Sequence, residues 1–283
     1  MKTAYLILAH RNPQQLEKLI QGLSSDGSLF FVHLDARSDS ESFAFLNRMP
    51  YVYSVDRLPI HWGGWNLVSA TLLLLQKSHE LNCDRFHLLS GQDYPLKSNE
   101  ELSRFFCNDF NYVSYFRLPT ESWNNGGIDR YRTFHFVDAL SGWPSSMRNL
   151  AQQMFRLWGH AAPRTLPCGL TPFGGSQWWS ITRECARFIF RFIEEHTEVI
   201  SFFKKTLVPD ELFFQTIIMN SPVKEKVVND NLRYIQWDAT SPSVLGLGNV
   251  TKLVASDKFF ARKFDDCTDP NVLSAIEAHR RHM

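Results

Sequence analysis

The apolar positions of this chain fall first into short, nearly continuous runs. Residues 5–9 (YLILA), 29–34 (LFFVHL) and 85–89 (RFHLL) do not alternate with polar ones, which is the pattern of strands buried on both faces. Between the first two, Asn12 and Pro13 predict the N-cap and first residue of a helix. Its Leu16, Leu19, Ile20 and Leu23 share one stripe. Strand, helix, strand is the opening of a parallel sheet. In such sheets ligands lie beyond the carboxyl ends of the strands, where His10, Asp35 and Arg37 fall. The pattern predicts further helices over residues 42–47, 66–80, 98–106 and 183–195 and from Asn271 onward. It predicts further strands over 51–55, 112–116, 226–228, 233–237 and 259–264, and one entered through 174–180 (GGSQWWS). The leucine block at 72–75 must be buried, and Ser98 with Glu101 forms a capping box. The expected fold is α/β, with a mostly parallel central sheet flanked by helices.

Residues 207–220 (LVPDELFFQTIIMN) stand apart. Pro209 and Asp210 read as a helix start, with Asp210 as N-cap and Glu211 in the first turn. Leu212, Phe213, Phe214, Ile217, Ile218 and Met219 then cover almost every face, so the helix is a buried one. A carboxylate is thereby driven into the protein at the head of a core helix. The helix dipole favours its charge and the apolar setting opposes it, a balance suited to a general base. The same Asp-Glu pair also reads simply as a helix cap.

Residues 117–175 look irregular and are rich in Gly, Pro, Trp and Arg, and long loops of this kind are usually functional. Within them, 146–158 reads as a helix with Met147, Leu150, Met154, Leu157 and Trp158 toward one side. That side faces the core, a lipid or a partner, and the core is the ordinary destination. The run Ile60-His61-Trp62-Gly63-Gly64-Trp65 makes a tight turn with flat walls, either for a base or sugar ring or for the core. Arg262 and Lys263 interrupt the aromatic segment FFARKF, and buried cations must meet an anion. That anion is a protein carboxylate such as Asp265 or Asp266, or a diphosphate.

Composition narrows the classes. The formal net charge is +1 and no Lys/Arg run occurs, so no nucleic-acid partner is expected. The five cysteines (83, 107, 168, 185 and 267) are odd in number and include no C-x-x-C pair. They speak against a disulfide framework and a structural zinc site. Neither a G-x-G-x-x-G turn nor a P-loop is present. No Asp-x-Asp exists to hold a metal: Asp35 and Asp39 are four apart, and Asp265 and Asp266 are adjacent. The apolar run near the N-terminus has five residues, too short for a signal peptide or a membrane span.

The motifs VHLDARSD (32–39), HWGG (61–64), LLSGQDYPL (88–96), GGSQWW (174–179), VPDELFFQT (208–216), Asn231-Leu232-Arg233 and FFARKFD (259–265) occur in this order. Together they resemble the core-2/I-branching enzyme and peptide xylosyltransferase family of glycosyltransferases, nearly from end to end. The resemblance implies a GT-A-type fold, an inverting mechanism and a UDP-sugar donor, with no cofactor and no divalent metal. It implies that Glu211 is the catalytic base and that Arg262 and Lys263 bind the donor diphosphate. It further implies donor contacts at Leu8, Asp35, Ile60, His61, Trp62, Gln177, Trp178 and Ser241, with Arg37 beside them. The xylosyltransferase branch has Asp where this chain has Gln177.

The chain is expected to be one domain over 1–283. Donor-binding elements are placed at 4–96 and 174–265 and acceptor loops at 117–175, with Asp93, Arg130 and Arg132 as acceptor contacts. The expected reaction moves GlcNAc or xylose from a UDP-sugar to a hydroxyl of a glycan or glycoconjugate. The alternative is a non-catalytic carbohydrate- or nucleotide-binding protein on the same fold. The family's animal members carry a membrane anchor and disulfides. Their lack here implies a bacterial-type, cytoplasmic relative, with room for peripheral contact with the inner face of the membrane through a lipid-linked acceptor.

Overall fold

The structure, a computed structural model, describes residues 1–238 and 241–281, without the side chains of Arg156, Trp158, His160 and Ala161. The predicted opening is present as β1 (Thr3–Ala9), α1 (Pro13–Leu23) and β2 (Ser28–Leu34). The two strands pair in parallel from Thr3↔Ser28 to Ala9↔Leu34. The unbroken apolar run of β1 has a simple cause. Ala4, Leu6 and Leu8 point into one core, while Tyr5, Ile7 and Ala9 point into a second on the opposite face.

Next come β3 (Val52–Ser54), α2 (Asn66–Glu80), β4 (Arg85–Ser90), β5 (Asp93–Pro95), α3 (Asn99–Phe105) and β6 (Asn111–Arg117). In α2, Leu74 and Leu75 are fully buried and the other two leucines of the block half-buried. The Ser98–Glu101 capping box of α3 forms as expected. The segment after β6 holds α4 (Ile128–Arg132) and α5 (Ser145–Ala161). It leads to β7 (Phe173–Thr182), α6 (Arg183–Glu195), α7 (Thr197–Phe203) and α8 (Phe213–Met219). The last third contributes β8 (Val227–Val228), β9 (Arg233–Ile235), β10 (Trp237–Asp238), β11 (Ser241–Pro242), α9 (Val250–Val254), β12 (Phe260–Arg262) and α10 (Val272–Arg280).

Among the described residues, the main sheet runs β3-β2-β1-β4-β7-β6-β8, with only β7 antiparallel to its neighbours. This is the mostly parallel α/β architecture that the sequence predicts. Helices α2, α6 and α8 cover one face and α1, α3 and α10 the other. A small second sheet, β5-β12-β9, sets the FFARKF segment beside Asp93, with Arg262 opposite Asp93 in the ladder.

Several local expectations are corrected. Residues 42–47 belong to a 3-10 helix, Glu41–Arg48. Asn12 is left-handed (φ 56°) and makes no cap; its amide donates to Asp265 Oδ1 at 2.8 Å. The stretch 207–220 is not one helix. Pro209–Glu211 forms a 3-10 turn, Leu212 (φ −129°, ψ −40°) breaks the path, and α8 begins at Phe213. Asp210 therefore caps nothing, and the turn is aimed by a tertiary bond from Val208 N to Gly63 O (3.0 Å). Helix α5 also departs from its expected core setting. Met147, Leu150, Met154 and Leu157 are each 53–72% exposed. The helix packs by another face instead, with Phe155 4.6 Å from Phe136 and Gln152 donating to Phe134 O at 3.1 Å. The Trp158 side chain lies outside the described residues.

Candidate active site

Two tight turns meet at the predicted base. The 62–64 turn offers Gly63 O to Val208 N, and Gly63 has φ 79°, a conformation that glycine adopts without strain. A Cβ on Gly64 would stand 2.2 Å from Asp138 Oδ1, so only glycine leaves room for that carboxylate. Asp138 Oδ2 accepts from Asn66 N at 2.9 Å, and so caps α2 with a side chain from a distant segment. His61 Nδ1 lies 3.5 Å from Asp138 Oδ1.

The other side of the base is closed by α4. Arg130 Nη1 donates to Glu211 Oε2 at 2.7 Å, and its guanidinium lies 3.5 Å from the Trp123 ring centroid. The backbone is tied too, since Leu207 N donates to Arg130 O at 2.8 Å. The sequence placed one buried carboxylate here, and the structure separates two. Asp210 is buried, its Oδ1 meets no donor, and its pKa is pushed up to about 7 by burial first and the Glu211 charge second. The Glu211 side chain is 33% exposed and paired. The desolvated carboxylate is thus Asp210, and the accessible one is Glu211. Beside these turns opens a cleft of about 730 Å³, lined by Arg37, His61, Trp62, His135, Arg148 and Leu207 among others. Trp62 is 82% exposed, so its ring is free to stack. A depression of about 360 Å³ lined by Lys18, Tyr94 and Glu277 holds none of the residues expected to bind donor or acceptor.

At the carboxyl ends of β1 and β2 the charges are crowded. Asp35 is buried and surrounded by donors: Arg37 N (2.9 Å), Arg37 Nε (3.2 Å), Arg37 Nη2 (2.9 Å) and Ile60 N (3.3 Å). His10 titrates below its ordinary value through burial of part of its ring and then Arg11, with Lys263 and Arg37 adding and Asp35 opposing. Lys263 is itself lowered, by burial and then by Arg11 and Arg262. The half-buried ammonium of Lys263 makes no ion pair among the described residues. Arg262 is enclosed instead. Its guanidinium lies 4.2 Å from the Trp178 ring centroid, and Nη1 is 3.7 Å from Asp93 Oδ1. Neither Asp265 nor Asp266 serves it, since they pair with Arg11 and Lys18.

The remaining expected residues are scattered. Asp93, expected at the acceptor, is wholly buried and faces Arg262 and Ser90 N, so it offers no surface to a ligand. Its carboxyl is pushed up by burial, against Arg262. Leu8 lies in β1 opposite Ser90. Gln177 is half-buried in β7 and Ser241 exposed in β11, and neither side chain hydrogen-bonds to the groups above. Arg132 is exposed. Arg233, in the Asn231-Leu232-Arg233 motif, is structural: it is buried and donates to Leu88 O and Ser180 Oγ. Sequence reading missed Arg11, Trp123 and Asp138. Arg11 was signalled by its place after β1, but a cap lent by Asp138 across 72 residues has no local signature.

Residues 3–254 match the model of the Core-2/I-Branching enzyme family. The chain belongs to that family of glycosyltransferases. It is 27% identical to xylosyltransferase 2 of Rattus norvegicus over 99% of its own length and 34% of the relative's. It is equally 27% identical to xylosyltransferase 2 of Homo sapiens, over 99% and 34%. The chain thus spans about a third of the length of these curated relatives. Among solved structures it is similar to mouse xyloside xylosyltransferase 1 in its apo form, with a TM-score of 0.37 and 14% identity over 94% of this chain and 99% of that one.

Proposed function

We propose that the protein is an inverting glycosyltransferase that moves xylose or N-acetylglucosamine from a UDP-sugar to a hydroxyl of a glycan or glycoconjugate. One observation carries the reading. Glu211 is an accessible carboxylate held at 2.7 Å by Arg130, on a turn bonded to the one that presents Trp62. Arg130 engages Oε2, which leaves Oε1 for the acceptor. The hydroxyl gives its proton to Glu211 as its oxygen attacks the anomeric carbon, and the bond from that carbon to UDP breaks on the opposite face. A single carboxylate suffices because UDP leaves without being protonated, unlike the sugar alcohol released by a glycosidase.

The departing diphosphate needs positive charge. Lys263 and Arg11 are suited to supply it, while Arg262, braced on Trp178 and Asp93, positions the end of β12, which Lys263 directly follows. The donors around Asp35 make that carboxylate a poor metal ligand, which supports catalysis without a divalent ion. In this reading donor elements occupy 4–96 and 174–265, and the 117–175 segment, with Arg130 and Arg132, meets the acceptor. Trp62 stacks on a ring of donor or acceptor.

A lipid-linked acceptor fits the exposed stripe of α5. No helix among the described residues is long and apolar enough to cross a membrane. Yet α5 shows Met147, Leu150, Met154 and Leu157 to solvent, and no Asp or Glu occurs between Asp138 and Glu184, while Arg148, Arg156 and Arg164 do. An apolar stripe within a purely basic stretch is complementary to an anionic lipid surface.

The test is UDP release from a panel of UDP-sugars, including UDP-xylose and UDP-GlcNAc, with thermal-shift binding measured alongside. Release dependent on Glu211 supports the reading. Binding without release would make the protein a sugar-nucleotide binder instead.

A further inference from the structure

Cysteine spacing speaks against zinc, yet the fold assembles a ligand set that no sequence pattern announces. Cys168, His196 and Glu198 meet near the end of the 117–175 segment. Cys168 Sγ lies 3.4 Å from His196 Nδ1 and 3.0 Å from Glu198 Oε1, and Nδ1 lies 3.4 Å from the same Oε1. A tetrahedral zinc ion with bonds of about 2.0–2.3 Å spaces its ligand atoms about 3.3–3.8 Å apart. The two distances to Nδ1 already fit, and the sulfur–oxygen edge needs to open by only a few tenths of an ångström.

We propose that Cys168, His196 and Glu198 bind a single zinc ion, with water in the fourth position. Thiolate and imidazole select zinc over calcium or magnesium, which prefer all-oxygen sites. On binding, the Cys168 proton leaves to solvent and the thiolate takes its place on the metal. Without the ion that proton is shared with Glu198, whose hydrogen bond holds the thiol up at about 11.

The frame around the three groups is fixed before any ion arrives. Cys168 sits in the 3-10 turn Pro167–Gly169 in a left-handed conformation (φ 57°), next to the buried Leu166. His196 forms the joint between α6 and α7, with its ring 4.6 Å from Phe192. Glu198 lies in the first turn of α7. All three are open enough to solvent for an ion to enter, with the His196 and Glu198 side chains 36% and 54% exposed. The ion would fasten the segment that carries Arg130 to the α6–α7 pair. Arg164 makes a parallel tie, donating to Phe202 O and Lys205 O. The metal would thus be a clip on the proposed acceptor segment, and none of its three ligands lines the cleft beside the Glu211 turn.

Cobalt titration of the metal-free chain tests this. The wild type should take up one cobalt per chain, with a thiolate-to-cobalt charge-transfer band and the visible bands of a tetrahedral site, both displaced by zinc. Cys168→Ser should lose the band, and His196→Ala should weaken binding roughly tenfold or more. A double Cys107→Ser, Cys267→Ser variant, lacking the other exposed thiols, should keep it. Zinc should raise the melting temperature of the wild type and not that of Cys168→Ser. The absence of a charge-transfer band in the wild type, or a band that survives Cys168→Ser, would overturn the proposal.

Discussion

Arg130 and Glu211 are joined by a 2.7 Å ion pair that engages one carboxylate oxygen, Oε2, of a side chain that is still 33% exposed. If Glu211 is the base, Glu211→Gln keeps the shape and the contact with Arg130 but cannot accept the proton. Turnover should fall by roughly 100-fold or more while UDP affinity stays within about twofold. Near-normal turnover in that variant would remove Glu211 from the mechanism.

If Glu211 is the base, Arg130 would act on the reaction through it, as a positioning residue as well as the proposed acceptor contact. Arg130→Ala should lower kcat roughly tenfold and raise the acceptor KM, with UDP affinity unchanged. Arg130→Lys should restore part of kcat, since a cation returns without the stack on Trp123. Arg132→Ala, at an exposed position, should affect the acceptor KM alone. A fall in UDP affinity in either alanine variant would assign the 117–175 segment to the donor.

The strand–helix alternation was legible because it depends on local periodicity: β1, α1, β2, α2 and α6 fall where the apolar pattern puts them. The motif-bearing residues were legible as a set, but their partners were not. Arg262 meets Asp93 only because β5 and β12 pair, and α2 is capped from Asp138. The 207–220 stretch misled for the same reason. Its apolar run is continuous, but the Val208–Gly63 bond turns the chain before α8 starts, so burial falls on Asp210 rather than on Glu211. In α5 the stripe at helical spacing fits the core, a lipid or a partner alike, because periodicity cannot tell which of two faces is covered.

Asp210 should leave a signature in stability against pH. Its folded pKa is pushed from 3.8 up to about 7, so the native state keeps a proton that the unfolded chain gives up. That contribution is fully present below about pH 4 and is lost as pH rises through about 7. Asp210→Asn carries no charge to desolvate. The melting-temperature difference should therefore shift in the variant's favour between about pH 4 and pH 7, then stay level at higher pH. A difference that is constant across this range would show that Asp210 does not titrate within it.

Helix α5 should carry the chain onto anionic membranes. In flotation assays the wild type should rise with vesicles containing phosphatidylglycerol and less so with neutral phosphatidylcholine, and added salt should weaken the binding. The double variant Leu150→Glu, Leu157→Glu should stay behind, yet turn over a water-soluble acceptor normally, because both side chains are exposed and neither lines the cleft beside the Glu211 turn. Equal flotation of variant and wild type would detach the lipid surface from α5.

Catalysis should need no divalent metal, because the charge on departing UDP can be met by cations the fold already holds. Arg11 and Lys263 sit close enough to depress the pKa of His10, and Lys263 is itself lowered by its cationic neighbours. Asp265 pairs with Arg11 but leaves Lys263 without an ion pair among the described residues, and a bound diphosphate would relieve the remaining repulsion. Lys263→Ala should therefore lose UDP affinity and turnover together, whereas Arg262→Lys, which disturbs the stack on Trp178, should act mainly through the placement of Lys263. Turnover should persist in excess EDTA at temperatures well below melting, including in the Cys168→Ser background, where no zinc clip is expected. That background separates the two metal questions. Loss of turnover in EDTA in both proteins, restored by manganese or magnesium, would mean that a metal rather than Lys263 carries the leaving group. Loss in the wild type alone would point to the clip at Cys168 and leave the cation mechanism standing.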